Sequence, residues 1–170
     1  MALQIAARGR ARSLVALSPA GGWADDSWHE RLEFFTAIHA QLQGVAAYAD
    51  AIAASPDGRR RATQFITERS EHIPADLIAH QIVGAARCET PVLVDAVRRI
   101  GYQLETARVD CPVRILWGTA DKLLEWPTAA ALFQEELPGA EWIPMDGVGH
   151  CPQLDVPAEA AELILGLTAP

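Results

Sequence analysis

Residues 113–157 read VRILWGTADKLLEWPTAAALFQEELPGAEWIPMDGVGHCPQLDVP. Two apolar runs in this stretch, Val113-Arg114-Ile115-Leu116-Trp117 and Glu141-Trp142-Ile143-Pro144-Met145, have strand length, and each ends in a loop bearing Gly and Asp. Between them Pro127 to Leu137 has the pattern of one amphipathic helix, stopped by Pro138-Gly139. A strand, a crossover helix and a second strand make a parallel βαβ unit, on which ligands sit at the carboxyl ends of the strands. Asp121 follows the first strand and His150 the second, 29 positions later, so both side chains are expected at one edge of the sheet. A carboxylate beside an imidazole can fix its tautomer and stabilise the imidazolium formed when it takes a proton.

The motifs GTADKLLEWP and GVGHCPQLDVP, in that order and with one helix and one strand between them, resemble the C-terminal part of the α/β-hydrolase superfamily. In that family an acid after one late strand and a histidine after the next complete a Ser…Asp…His triad. The resemblance implies Asp121 as the acid and His150 as the base. It also implies a fold: α/β, with a partial parallel sheet of about three strands, flanking helices and an inserted all-helical cap. No Gly-x-Ser-x-Gly elbow and no HGGG-type oxyanion loop occurs in the sequence. The chain therefore matches the second half of the family fold, from the helix after the elbow onward.

Upstream, Met1 to Arg8 has helix-forming composition and stops at Gly9, so the chain is expected to open inside a helix, as a truncated reading frame would. Ser13 to Leu17 reads as a buried strand, and Ser18 to Trp23 as the loop leaving its carboxyl end. From Asp25 the pattern turns helical. Ser27 with Glu30 forms a capping box, and Leu32, Phe35, Ile38 and Leu42 mark one apolar face. Further helices are expected over about 60–69, 75–88 and 91–100, with Pro74 and Pro91 near two of their starts, and Pro157 to Leu167 reads as the terminal helix. The resulting division places residues 1–24 and 109–170 in the hydrolase core and 25–108 in the cap. Within the resemblance, the cap is a lid that shapes the substrate pocket, and Trp23 and Trp28 at its mouth are the residues expected to touch substrate.

Other candidates are weaker on chemical grounds. Asp146 and Asp155 are alternative acids, although Asp155 in Asp-Val-Pro reads better as an N-cap of the last helix. Cys151 adjoins His150, but consecutive residues point apart. Ser18 precedes Pro19 rather than opening a helix, which suits pocket lining or loop hydrogen bonding. His29, His39, His72 and His80 fall on different helices without metal-ligand spacing, and are read as partly exposed helix positions.

Composition narrows the classes. The chain has 170 residues, of which 50% are hydrophobic and 21% charged, the range of globular rather than disordered proteins. A net charge of −8 leaves no footprint for a phosphate backbone, and the one basic run, Arg59-Arg60-Arg61, reads as a solvated helix start, so nucleic acid is not an expected partner. Three cysteines without a CxxC suggest neither a disulfide framework nor a zinc site and fit a reducing, cytoplasmic setting. No apolar stretch approaches a membrane span. No cofactor and no metal are implied.

The missing nucleophile has two consequences. Loss of the triad serine alone costs on the order of a millionfold in turnover. The chain by itself is therefore expected to lack triad-type esterase activity, the serine coming from an upstream coding segment or a partner polypeptide; a small-molecule substrate is expected once it is completed. In addition, an inner strand left at an edge exposes unpaired backbone groups, so self-association through that edge is expected. The competing reading is a non-catalytic ligand-binding or interaction module that keeps the fold, and a remnant without function is a third. Substrate choice stays open, because esters, thioesters, haloalkanes and carbon–carbon bonds are all cleaved on this scaffold.

Overall fold

In a computed structural model, which describes residues 2–22, 28–101 and 106–168, Val113–Gly118 forms β2, the middle strand of a parallel sheet. Ile115, Leu116 and Trp117 on this strand are fully buried. Such a run lacks hydrophobic alternation because both faces of the strand are covered. Leu14–Leu17 forms β1 on one side and Glu141–Met145 forms β3 on the other, so the order among the described residues is β1-β2-β3. The registers run Leu14 opposite Val113 to Leu17 opposite Leu116, and Arg114 opposite Glu141 to Gly118 opposite Met145. Pro144 has no backbone N–H to give, and it is accommodated because, among the described residues, β3 is paired on one side only.

All three strands point the same way, so Ser18, the Gly118–Asp121 loop and the Met145–His150 loop leave the sheet at one edge. Chain connections follow from local sequence. After β2, Pro127 leads into a 3-10 turn, Thr128–Ala130, that continues as α7, Ala131–Glu136, a shorter α-helix than the sequence suggests. Its buried Phe133, with Ala129, Ala130 and Leu137, packs it down. A short helix, α8 (Pro152–Asp155), follows the histidine loop, and α9 (Pro157–Thr168) ends the described chain. Leu116, Met145 and Val148 form a core cluster joined by Val15, Leu17, Ile143, Val156 and Leu163. Arg114 ties the sheet to α9 by donating to the backbone carbonyl of Leu163, and pairs with Glu141 at 2.8 Å. Trp117, Trp126 and Trp142 form an aromatic cluster with ring centroids 6.0–6.4 Å apart, and Trp117 Nε1 donates to the Leu124 carbonyl at 3.0 Å.

The chain divides into two compact units. One comprises residues 1–24, 65–68 and 103–170 and holds the sheet, together with α1 (Ala2–Ala7). The other comprises 25–64 and 69–102 and holds helices and no strand among its described residues. It contains α2 (Trp28–Val45), α3 (Ala49–Ala54), α4 (Pro56–Thr63), α5 (Ala75–Arg87) and α6 (Thr90–Ile100).

Leu32, Phe35, Ile38 and Leu42 are part-buried on α2, while Ser27 of the expected capping box lies outside the described residues. His39 is not the partly exposed position its helix suggests. It is buried, with Nδ1 3.1 Å from the Ala85 carbonyl, because α5 packs on that face of α2. The helix expected over 60–69 starts earlier, at Pro56: Ser55 Oγ accepts from the Gly58 N–H at 2.9 Å, Pro56 is pre-set for the first turn, and Asp57 faces the helix start. It also ends earlier, since Phe65–Glu68 leaves the helical unit for bonds to the sheet unit.

Candidate active site

Asp121 sits in the loop after β2 with its side chain fully buried. Its Oδ1 accepts from the backbone N–H groups of Leu123 and Leu124 at 2.9 and 2.8 Å, which holds the carboxylate in one orientation. The other oxygen, Oδ2, lies 2.9 Å from His150 Nδ1. A carboxylate accepts, so Nδ1 carries the donated hydrogen, and Nε2 is left as the acceptor of the neutral ring. Nε2 has no hydrogen-bond partner among the described residues, and the imidazole is 19% exposed. The acid and the imidazole expected at one sheet edge are thus joined by one hydrogen bond.

Close backbone packing sets this approach. Thr119 N–H donates to Met145 O at 3.0 Å and Ala120 N–H to Val148 O at 3.0 Å, which stitches the two loops together just beyond the strand ends. At Gly118 a Cβ would stand 2.1 Å from Val148 O and 2.2 Å from Gly149 O, so only glycine lets the histidine loop pass this close. Gly147 turns that loop at φ 64°, and Thr119 Oγ1 accepts from its N–H at 2.9 Å. Asp146 is taken up by the same turn, accepting from Thr119 Oγ1 at 3.3 Å. Asp155 closes α8 rather than opening α9, and its carboxylate accepts from the Gly149 N–H at 2.7 Å.

Several known proteins share this architecture. No protein-family model matches the chain. It is 28% identical over 171 aligned positions to the epoxide hydrolase EphH of Mycobacterium tuberculosis, covering 96% of this chain and 78% of that protein. Among solved structures, a bacterial membrane phospholipase A superposes with a TM-score of 0.64 at 19% identity, over 98% of this chain and 52% of its own. A bromoperoxidase from Bacillus anthracis gives 0.66 at 15% identity, over 98% and 62%, and the carboxylesterase CesB from Bacillus subtilis 0.58 at 16%, over 98% and 55%. The fold is that of the α/β-hydrolase superfamily. The chain spans between 52% and 62% of the length of these three structures.

Around the pair, the other side chains of this α/β-hydrolase fold divide clearly. Burial is the main cause that pushes the Cys151 thiol up from 9.0 to about 11; Asp121 and Asp155 add to the rise, and a hydrogen bond with Gln153 opposes it. The thiolate is the reactive form, so Cys151 presents about a hundredfold less of it at neutral pH than an ordinary thiol. Alkylation followed by peptide mapping is accordingly expected to modify the exposed Cys88 well before Cys151. Stability shares the shift. An unfolded Cys151 releases its proton from about pH 9, the folded one only near 11, so the contribution is intact below 9 and lost as pH rises through 11.

Ser18 is 2% exposed, has φ 39°, and its Oγ has no hydrogen-bond partner, so the expected loop hydrogen bonding from this hydroxyl is not made among the described residues. Its backbone N–H does bond, to Leu116 O at 2.9 Å. Trp28 lies in α2 of the helical unit with its ring stacked on His29 at 3.5 Å, while Trp23 lies outside the described residues. No group of three or more His, Cys, Asp or Glu side chains able to hold a metal ion occurs among the described residues. Nor is any described helix long and apolar enough to cross a membrane.

Sequence reasoning missed Gly118 and the segment 65–68. Gly118 carries a legible signal, a glycine closing a buried strand just before the acid; the segment carries none.

Proposed function

We propose that this chain supplies the base and the acid of a hydrolase active site. His150 takes a proton at Nε2 from the attacking group, and Asp121 holds the Nδ1–H and stabilises the imidazolium. The observation that carries this reading is the 2.9 Å contact between His150 Nδ1 and a fully buried carboxylate, with Nε2 unbonded among the described residues on a ring that keeps some exposure. Esters and epoxides are both opened by adding water, and both need a base that can deprotonate the attacking oxygen. The likeness to an epoxide hydrolase and to a carboxylesterase supports that substrate range. The attacking serine is absent from any Gly-x-Ser-x-Gly setting in this sequence, and Ser18 does not replace it, because its hydroxyl makes no bond to the imidazole. The helical unit is the cap of this reading, and the open side of β1 is a surface for self-association.

The test is expression of the chain with and without the coding sequence immediately upstream, followed by a panel of activated esters and small epoxides. The expected result is no triad-type turnover from the chain alone and turnover when a nucleophile-bearing segment is present. Turnover by the homogeneous chain alone that His150→Ala abolishes would show that the nucleophile lies within it. Activity of the completed protein that survives His150→Ala would end the assignment of the base.

A further inference from the structure

Phe65–Glu68 groups with the sheet unit, although the residues on both sides of it in sequence, Gln64 and Arg69, belong to the helical unit. Bonds from this segment reach the histidine loop, the short helix α8 that follows it and the acid loop. Cys151 N–H, directly after the histidine, donates to Ile66 O at 2.8 Å. Gly149 N–H, directly before it, donates to Asp155 Oδ2 at 2.7 Å. The same Asp155 carboxylate accepts from Thr67 Oγ1 and from the Glu68 N–H, at 2.9 Å through Oδ1 and 3.2 Å through Oδ2. On the acid side, Lys122 Nζ, directly after Asp121, pairs with Glu68 Oε1 at 2.6 Å.

We infer that Phe65–Glu68 and Asp155 form a clamp that holds the histidine loop, and with it the ring of His150 where it meets Asp121, with Asp155 and Thr67 as positioning residues. The inference rests on the reading of His150 as the base. Asp155 is 3% exposed and Thr67 5%. A buried carboxylate is costly unless several donors satisfy it. Here Thr67 and Glu68 on one stretch of chain and Gly149 on another donate to it, so one carboxylate locks both stretches in a single arrangement. Apolar packing does not impose such directional limits, and a proton-transfer pair needs them, because its members must be held to within about 0.5 Å. Gly149 belongs to the device: a Cβ there would lie 3.0 Å from Asp155 Oδ2 and 3.1 Å from Thr67 Cα. The Lys122–Glu68 pair is partly solvent-exposed and contributes little, which leaves Asp155 as the main fastening.

The experiment is proton NMR of the isotopically labelled full chain, following the downfield His150 Nδ1–H signal, assigned by its loss in Asp121→Asn. The clamp predicts that the signal is lost in Asp155→Asn, with the far-ultraviolet circular dichroism of the fold retained. It also predicts a weakened signal in Thr67→Val and a wild-type signal in Thr67→Ser, which keeps the hydroxyl. If Asp155→Asn does not fold, the Thr67 pair decides. An unchanged signal in folded Asp155→Asn, or equal signals in Thr67→Val and Thr67→Ser, overturns the clamp and leaves these bonds a structural role only. A wild-type signal that ignores Asp121→Asn instead overturns the His–Asp reading, and the clamp with it.

Discussion

On the proposed function, with a nucleophile-bearing segment present, His150→Ala is expected to lower turnover of an activated ester on the order of a millionfold, and Asp121→Asn by about ten-thousandfold. The two losses differ for a structural reason. Without the imidazole nothing accepts the proton of the attacking group. Without the carboxylate charge the imidazole remains, but an amide at that position can present its N–H to Nδ1 and favour the wrong tautomer. The Asp121 carboxylate is orientated by two backbone N–H groups, from Leu123 and Leu124, so the asparagine oxygen is drawn to the same pair and its NH2 is left facing His150. Steady-state kinetics on both variants check this, with KM expected to move much less than kcat. Equal losses in the two variants would argue that Asp121 does more than orient the ring.

Gly118→Ala is expected to cost about 3 kcal/mol of stability or more, at the upper end of what overpacking produces. It is also expected to separate His150 from Asp121. The added methyl would meet two backbone oxygens, those of Val148 and Gly149, at 2.1 and 2.2 Å. A side chain at that place could rotate aside; a backbone carbonyl cannot without moving its loop. That loop carries the histidine, and the stitch from Ala120 N–H to Val148 O goes with it. Urea unfolding measures the first effect and the His150 Nδ1–H signal the second. A variant with the wild-type midpoint and an intact signal would show that the loop has slack that the close packing denies.

Both members of the pair were legible because their signals are local. A short apolar run that ends in Gly-Thr-Ala-Asp or Asp-Gly-Val-Gly-His shows the strand, its end and the residue that follows it, and in a parallel sheet those ends share an edge. The crossover between them was legible from Pro127 and Pro138-Gly139, though its first three residues, Thr128–Ala130, are a 3-10 turn. Asp155 was misread for the complementary reason. Locally it precedes a helix and looks like a cap; its bonding partners Thr67 and Glu68 lie 88 and 87 residues away, and no pattern within the stretch announces them. The same long-range bonds explain why the helix expected to run to Arg69 stops at Thr63. His39 was misjudged likewise, since its burial depends on α5, not on the pattern of its own helix. Ser55-Pro56-Asp57 was a cap in plain view, four residues before the start expected for that helix.

The three indoles of Trp117, Trp126 and Trp142 stand close enough for their excited states to couple. Trp126 is five positions beyond Asp121, on the stretch leaving the acid, whereas Trp117 is anchored in the middle strand. The near-ultraviolet dichroism of the unlabelled protein therefore contains a built-in gauge of that stretch. When it shifts relative to the sheet, the coupling among the rings alters, and an optical spectrum registers the change without an introduced probe.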